Sequence, residues 1–152
     1  MNADVWVVCP GCRQQAIVRA AAAMAAMNTA DAARVVCVHC GYSKHLTNAP
    51  RFTLRTTNAR YMNKGYYVVG SAVDPLFHLP LWLQKDYGNE VLWAYNPAHL
   101  AFLRSHIGAK LRERGNEEIT NRSLGSRLPR WMTSEKNRTA LLKLIGELET
   151  KI

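Results

Sequence analysis

The chain has 152 residues, of which 48% are hydrophobic and 20% are charged. These proportions are ordinary for a globular protein and exclude a low-complexity or wholly disordered chain, and the length predicts about one domain's worth of structure. Lys and Arg number 20 against 11 Asp and Glu, a formal charge of +9. That charge favours a polyanionic or acidic partner.

Neither a membrane-spanning segment nor a secretory signal is visible in the sequence. No run of about eighteen apolar residues is present, and the first four residues lack the basic segment of a secretory signal. We therefore expect a cytoplasmic protein. Because that compartment is reducing, we expect its cysteines to be metal ligands rather than disulfide partners.

Four cysteines form two close pairs, Cys9 with Cys12 and Cys37 with Cys40, in the pattern C-x2-C-x24-C-x2-C. Two residues between cysteines allow one tight turn to present both sulfurs to the same ion, and two such turns complete a tetrahedral site. The doubled motif therefore predicts one structural Zn²⁺ ion in a zinc ribbon.

Other chemistries for these cysteines are weaker, although one stays open. A thioredoxin-like redox pair does not predict a second matching pair, whereas an iron-sulfur cluster also uses four thiolates. His39 and His45 lie inside and just after the second pair. With four thiolates present, we expect both imidazoles to be exposed or hydrogen-bonded, and a closed site leaves no position for catalysis.

Short strands are predicted around the cysteine pairs. Asp4 to Val8 and Gln15 to Arg19 flank the first pair, and the β-branched stretch Arg34 to Val38 leads into the second. Arg51 to Thr57 alternates polar and apolar residues and is predicted as the third strand of the ribbon. The Ala-rich insert at about 20–33 is either a short helix or an extended ribbon tip.

The middle segment, from residue 58 to residue 96, is rich in aromatic residues and contains Gly and Pro at intervals. Asp74-Pro75 and Leu79-Pro80 disfavour a helix, because the residue before proline avoids helical geometry. Leu81 to Leu83 and Val91 to Ala94 are predicted to pair as a hairpin across Asp86 to Asn89.

Two helices are predicted after the middle segment. The first begins at Pro97, is capped by Asn96, and ends near Arg114; its apolar stripe is Leu100, Leu103, Ile107 and Leu111. The second follows a polar loop and is capped by Thr133 or Ser134; its stripe is Leu141, Leu144, Ile145 and Leu148.

The predicted fold is therefore α+β: an N-terminal zinc ribbon of short antiparallel strands, a β-rich middle segment and a C-terminal pair of helices. We assign residues 1–57 to the ribbon and residues 58–152 to the aromatic segment with its two helices. The two parts are predicted to pack as one body.

A local excess of positive charge marks the C-terminal part, where ten Lys or Arg stand against four Glu between Leu103 and Lys143. The residues predicted to contact nucleic acid or another partner are Arg104, Lys110, Arg114, Arg127, Arg130, Trp131, Lys136 and Arg138. The alternative is a solvated charged face with Trp131 in the core.

No motif indicates an enzyme. His99 and His106 stand seven residues apart on the first helix, and Asp74 and His78 frame a proline turn, but no nucleophile elbow, phosphate loop or His-Glu pair accompanies them. We assign these four residues structural or surface roles and expect neither catalytic residues nor a small-molecule substrate.

Several segments together resemble a family of small bacterial proteins that contain a TFIIB-type zinc ribbon. They are residues 74–84, 92–96, 99–100, 111–114, 127–132 and 136–138, and with the cysteines the resemblance spans Cys9 to Leu144. It implies a bacterial, cytoplasmic protein with the four cysteines as ligands. The Ala-rich insert departs from the family pattern.

We rank three functions from these observations. A module that binds nucleic acid comes first because of the basic cluster. A protein-protein adaptor, such as an immunity or antitoxin-like inhibitor of a cognate bacterial toxin, comes second, because aromatic residues and Arg are the usual interface anchors. An enzyme comes last.

Overall fold

The computed structural model describes residues 4–20, 33–47, 52–55, 66–109 and 128–152. In chain order the elements of these ranges are β1 (Val5–Val8), β2 (Gln15–Ala20), β3 (Ala33–Val36), β4 (Ser43–His45), β5 (Phe52–Arg55), β6 (Tyr66–Val69), β7 (Leu83–Tyr87), β8 (Glu90–Ala94), α1 (Pro97–Gly108), α2 (Arg130–Thr133), a 3-10 turn (Glu135–Asn137) and α3 (Arg138–Glu149). N-terminal antiparallel strands, a β-rich middle and C-terminal helices confirm the predicted α+β class.

The N-terminal sheet has four antiparallel strands in the order β1-β2-β3-β4. Its side chains alternate between two faces: Val18 and Val35 are buried, whereas Arg19 and Arg34 beside them are exposed. The turn between β1 and β2 and the turn between β3 and β4 lie at the same end of the sheet, because neighbouring strands are antiparallel. Each turn carries one pair of cysteines.

The prediction that Arg51 to Thr57 forms the third ribbon strand is wrong. The third and fourth strands of the ribbon are β3 and β4, and β5 instead pairs in parallel with β6 in a separate two-stranded sheet. Alternation along a segment predicts a strand with one buried face, but it carries no information about the partner strand. The Ala-rich insert between β2 and β3 lies outside the described residues, apart from its ends at Ala20 and Ala33.

The outer edge of β1 is joined to the middle segment. Val7 and Leu81, both fully buried, form an isolated antiparallel bridge. The backbone hydrogen bonds of this junction run from Val8 N to Pro80 O (2.8 Å), from Trp82 N to Trp6 O (2.9 Å) and from Trp6 N to Tyr95 O (2.7 Å). Since β2 pairs with its other edge, β1 has partners on both sides.

The hairpin of the middle segment is confirmed with a shifted boundary. β7 pairs with β8 from Leu83 opposite Ala94 to Tyr87 opposite Glu90. Gly88 lies in the tight turn with a φ of 59°, a left-handed value that glycine adopts without steric cost. Leu81, predicted as part of this hairpin, instead bridges to β1.

Helix α1 begins as predicted but ends earlier. The Asn96 side chain accepts a hydrogen bond from the amide three residues on, and Pro97 occupies the first turn. The helix ends at Gly108, before the predicted end near Arg114, because Ala109 has extended backbone geometry. Residues 110–127, including Leu111 of the predicted stripe, lie outside the described residues.

The last long helix also starts at a different residue from the one predicted. Ser134 precedes the 3-10 turn rather than the long helix, and α3 starts at Arg138. Helix α3 packs against α1, and the buried residues of the two helices are Leu100, Leu103, Ile107, Leu141, Ile145 and Leu148. They belong to one continuous core with Val7 of the ribbon. No helix of the described ranges is long and apolar enough to cross a membrane.

Truncating Leu81 tests whether the junction at β1 stabilises the whole body. Because its side chain is fully buried, Leu81→Ala is expected to lower the free energy of unfolding by about 2–5 kcal/mol. Leu81→Met keeps the volume and is expected to cost less than about 1.5 kcal/mol. Urea denaturation of both variants measures the difference; equal stability of the Ala variant and the parent would contradict the packing described.

Candidate metal centre

The two cysteine turns are built alike. The amide of the first cysteine donates to the carbonyl five residues later, and the amide four residues later donates back to the cysteine carbonyl. These bonds are Cys9 N to Gln14 O (2.8 Å), Arg13 N to Cys9 O (3.0 Å), Cys37 N to Tyr42 O (2.8 Å) and Gly41 N to Cys37 O (3.0 Å). The shared pattern makes the turns equivalent supports for one site.

The fifth residue of each turn has left-handed backbone geometry. Gly41 has a φ of 74°, and Arg13, at the matching position of the first turn, has a φ of 61°. A residue with a Cβ atom costs roughly 1–2 kcal/mol in this conformation, whereas glycine does not. Sequence reasoning missed Arg13, although its offset of four from Cys9 equals the offset of Gly41 from Cys37.

The four sulfurs converge at the end of the sheet. All four Sγ atoms lie within 4.8 Å of one another. Two sulfur pairs join different turns: Cys9 Sγ to Cys40 Sγ and Cys12 Sγ to Cys37 Sγ, each at 3.6 Å. A disulfide needs a separation of about 2.05 Å, whereas sulfurs placed about 2.3 Å from a common tetrahedral centre lie about 3.8 Å apart. The cysteines therefore fit a metal ion.

The electrostatics of the cluster favour ionisation at one sulfur and oppose it at another. Burial raises the pKa of the Cys9 thiol, but the amides of Cys12 and Gly11 and the neighbouring thiols outweigh it and lower the pKa from 9.0 to about 7. At Cys12 the Gln14 amide favours the thiolate, yet burial and the other three thiols raise the pKa to about 12. Four thiolates so close together need a cation between them.

The cluster is closed on its inner side. Cys9 and Cys37 are buried in the core, Cys12 is half-buried and Cys40 is exposed. The Gly11 amide donates to Cys9 Sγ at 3.4 Å, and the Cys37 thiol donates to the Gln15 carbonyl at 3.5 Å. A bound ion with four protein ligands has no open coordination position, so its contribution is to folding.

His39 and His45 are not part of the sulfur cluster. Both side chains are exposed, and the metal-ligating group in the described residues consists of the four cysteines. This agrees with the predicted solvent exposure of the two imidazoles.

Intramolecular partners engage several of the residues predicted to bind nucleic acid. Arg104 donates to Glu149 at 2.8 Å, and Arg138 lies 3.7 Å from Glu135. Trp131 is half-buried, and its ring stacks on Tyr87 with centroids 5.7 Å apart. The Trp131 ring is therefore held within the fold, as in the core alternative left open by the sequence.

The remaining predicted binding residues divide into two groups. Arg130 and Lys136 are exposed and lie close in sequence, at α2 and in the 3-10 turn that follows it. Lys110, Arg114 and Arg127 lie outside the described residues. A continuous C-terminal basic face thus stays a prediction.

The Asp74 side chain stabilises the backbone of its own loop. Its fully buried carboxylate accepts hydrogen bonds from the amides of Leu76, Phe77 and Leu79 at 3.0, 2.8 and 2.6 Å. Burial raises its pKa in spite of these amides. This network closes the loop that ends at the bridge between Val73 and Pro80.

His99 is packed among aromatic rings. Its Nδ1 atom accepts a hydrogen bond from the Tyr95 amide at 3.2 Å, and its ring stacks on Tyr95 with centroids 5.3 Å apart. Burial lowers its pKa to about 4. His106 stacks on Phe102 at 5.6 Å. The assigned structural roles account for the contacts of Asp74 and both histidines.

Replacing one ligand tests the site. Cys37→Ser is expected to abolish stoichiometric metal binding and to unfold at least the ribbon, because a hydroxyl is a poor substitute for a buried thiolate ligand. Metal content by mass spectrometry and circular dichroism measure the two effects. Val38→Ser, which changes the exposed neighbour, is the matched control and should retain the metal; stoichiometric metal in the Cys37 variant would contradict the assignment.

Exchanging glycine and non-glycine at the left-handed positions tests the equivalence of the turns. Gly41→Ala is expected to lower the free energy of unfolding of the metal-bound protein by about 1 kcal/mol, and Arg13→Gly to raise it by a similar amount. A Cβ atom at Gly41 meets no heavy atom within 4 Å, so backbone strain alone sets the cost. Thermal denaturation reports both changes; shifts of the same sign would refute the idea.

No known protein family, curated protein or solved structure matches this chain. Its proposed chemistry therefore rests on the four converging sulfurs and on the surfaces around them.

Proposed function

We propose that this protein is a non-enzymatic binding module, folded around one structural Zn²⁺ ion, that contacts nucleic acid. The observation that carries the proposal is the closed cluster of four sulfurs, all within 4.8 Å of one another. Such a site supplies stability without an open coordination position, so the working part of the molecule is a surface.

Zinc is favoured over an iron-sulfur cluster by the space between the sulfurs. The 3.6 Å separations across the two turns suit a single ion about 2.3 Å from each ligand. A cluster with several irons and bridging sulfides needs its cysteine ligands further apart. Colourless protein with one zinc per chain supports this choice, and visible absorption with bound iron overturns it.

Positive charge supports nucleic acid as the partner. The chain carries a formal charge of +9, and a polyanion gains from such a surface through counterion release. In the C-terminal part, Arg130 and Lys136 are exposed and available, while Arg104 and Arg138 hold surface ion pairs that phosphates can replace.

The salt dependence of binding tests the proposed function. Affinity for a labelled oligonucleotide is expected to fall linearly on a plot of log K against log salt, with a slope of about −3 if four or five phosphates are neutralised. Fluorescence anisotropy between 50 and 300 mM salt measures the slope. Failure to bind DNA or RNA at 50 mM salt would remove nucleic acid from consideration.

One exposed side chain favours the adaptor function as a second candidate. Val38, between the cysteines of the second turn, is 85% exposed, and Pro10 at the matching position of the first turn is also exposed. Such an apolar tip suits a protein partner, including the toxin-like partner of an immunity or antitoxin-like inhibitor. A stoichiometric protein complex lost in Val38→Asp, with no nucleic-acid binding, would favour this function.

Membership of the small bacterial TFIIB-type zinc-ribbon proteins is part of the proposal and stays a prediction, as does a cytoplasmic location. The converging sulfurs support a zinc ribbon.

A further inference from the structure

A row of basic side chains crosses the outward face of the N-terminal sheet. The strand registers place Arg19 opposite Arg34, and Arg34 opposite His45. All three side chains are exposed. Directly opposed residues on neighbouring strands have Cβ atoms about 4.5–5.5 Å apart, so these residues form a continuous row over three strands. We call Arg19, Arg34 and His45 the basic row.

An apolar row runs beside the basic row on the same face. Its residues on β2 and β3 lie two positions along the strand from Arg19 and Arg34. The registers place Trp6 opposite Ile17, Ile17 opposite Val36, and Val36 opposite Ser43. Trp6, Ile17 and Val36 are half-buried, and part of the Trp6 side chain packs against the core. Two residues along a strand span about 6.6 Å. We call Trp6, Ile17 and Val36 the apolar row; it parallels the basic row at about that distance.

Few acidic side chains among the described residues form ion pairs with the basic row. Among the described residues Arg34 has no ion-pair partner, and Arg19 pairs only with Asp4 at 3.6 Å. That pair is solvent-exposed, with side-chain exposures of 55% and 38%, and a surface pair of this kind exchanges readily for a phosphate.

The sequence that includes Arg34 and His45 is also rich in positive charge. Residues 32–73 contain six Lys or Arg and no Asp or Glu, whereas residues 128–152 contain five Lys or Arg and three Glu. The C-terminal stretch therefore carries acidic residues among its cations, whereas residues 32–73 carry none.

We propose that the outward face of the N-terminal sheet binds single-stranded nucleic acid, with phosphates on the basic row and bases against the apolar row. This inference rests on the proposed function and moves its main contact from the C-terminal helices to the ribbon. Base stacking on aromatic and apolar side chains requires unpaired bases, because a duplex hides the base faces. The pairing of one basic row with one apolar row therefore selects a single strand.

The experiment compares charge removal on the two surfaces. Its probe is a fluorescein-labelled single-stranded DNA of 20 nucleotides, and its readout is anisotropy over a salt series. Arg19→Gln with Arg34→Gln is expected to weaken binding about 25-fold at 0.1 M salt and to reduce the salt slope by about 1.4, since each lost phosphate contact removes about 0.7 from the slope. Arg130→Gln with Lys136→Gln removes two charges from the C-terminal surface and is expected to weaken binding about fivefold, the loss of about one phosphate contact and clearly less than at the basic row.

Two further variants separate a phosphate contact from a structural role. Arg19→Lys with Arg34→Lys keeps both charges and should retain most of the affinity. Asp4→Asn frees Arg19 from its carboxylate and should tighten binding about two- to fivefold. All substituted side chains are exposed or half-exposed, and metal content and circular dichroism verify that each variant is folded.

Each outcome has a defined meaning. If the parent protein binds neither this strand nor the matching RNA at 50 mM salt, both the proposed function and this surface are wrong. If the parent binds but only the Arg130 and Lys136 variant is weakened, nucleic-acid binding stands and the ribbon surface is wrong. A duplex of the same sequence that binds as tightly as the single strand would overturn the role of the apolar row.

Discussion

Four sulfurs drawn together at one end of a small sheet constrain much of the N-terminal half of the molecule. The first cysteine turn joins β1 to β2, and the second joins β3 to β4. The two turns meet at one end of the sheet only if β2 and β3 pair in the observed register. That same register sets Arg19 opposite Arg34 on the exposed face. The ligand site and the basic row are thus two results of one strand pairing, and loss of the metal would disperse the charges along with the fold.

The aromatic residues of the middle segment are engaged mainly inside the molecule. Tyr87 stacks on Trp131, the Trp93 ring lies 5.0 Å from Tyr95, and Lys151 lies over the Trp82 ring at 5.6 Å. The first and third of these contacts join the middle segment to the C-terminal part, and all three use ring surface that a partner would otherwise contact. On the outward face of the ribbon, Arg19 and Arg34 are exposed among the residues that the structure describes.

Structural features that depend on residues close together in the chain are predicted well from the sequence. The spacing of the cysteines, the Asn96-Pro97 start of α1 and the turn at Gly88 each depend on residues close together in the chain, and each is found where expected. Contacts between segments that are far apart in the chain are not predicted in this way. The parallel pairing of β5 with β6 and the stacking of Trp131 on Tyr87 depend on contacts that no local pattern encodes.

The basic row illustrates the same limit for the functional surface. Arg19 and Arg34 are separated by the Ala-rich insert, and only the strand register reveals that they are neighbours. Counting charge along the chain points instead to the C-terminal helices. The sequence signal that was present is the stretch from residue 32 to residue 73, which lacks any acidic residue.

The bridge between Val7 and Leu81 has a consequence for the order of folding. Its two residues are 74 positions apart (81 − 7), so closing it in an otherwise unstructured chain costs about 4 kcal/mol of loop entropy. The hairpin of β1 with β2 spans only a short turn and forms sooner. During synthesis the ribbon therefore exists for some time with an open strand edge, which is prone to pairing with other chains. A metal ion taken up at this stage would hold the ribbon together until residues 80–82 arrive to cover that edge.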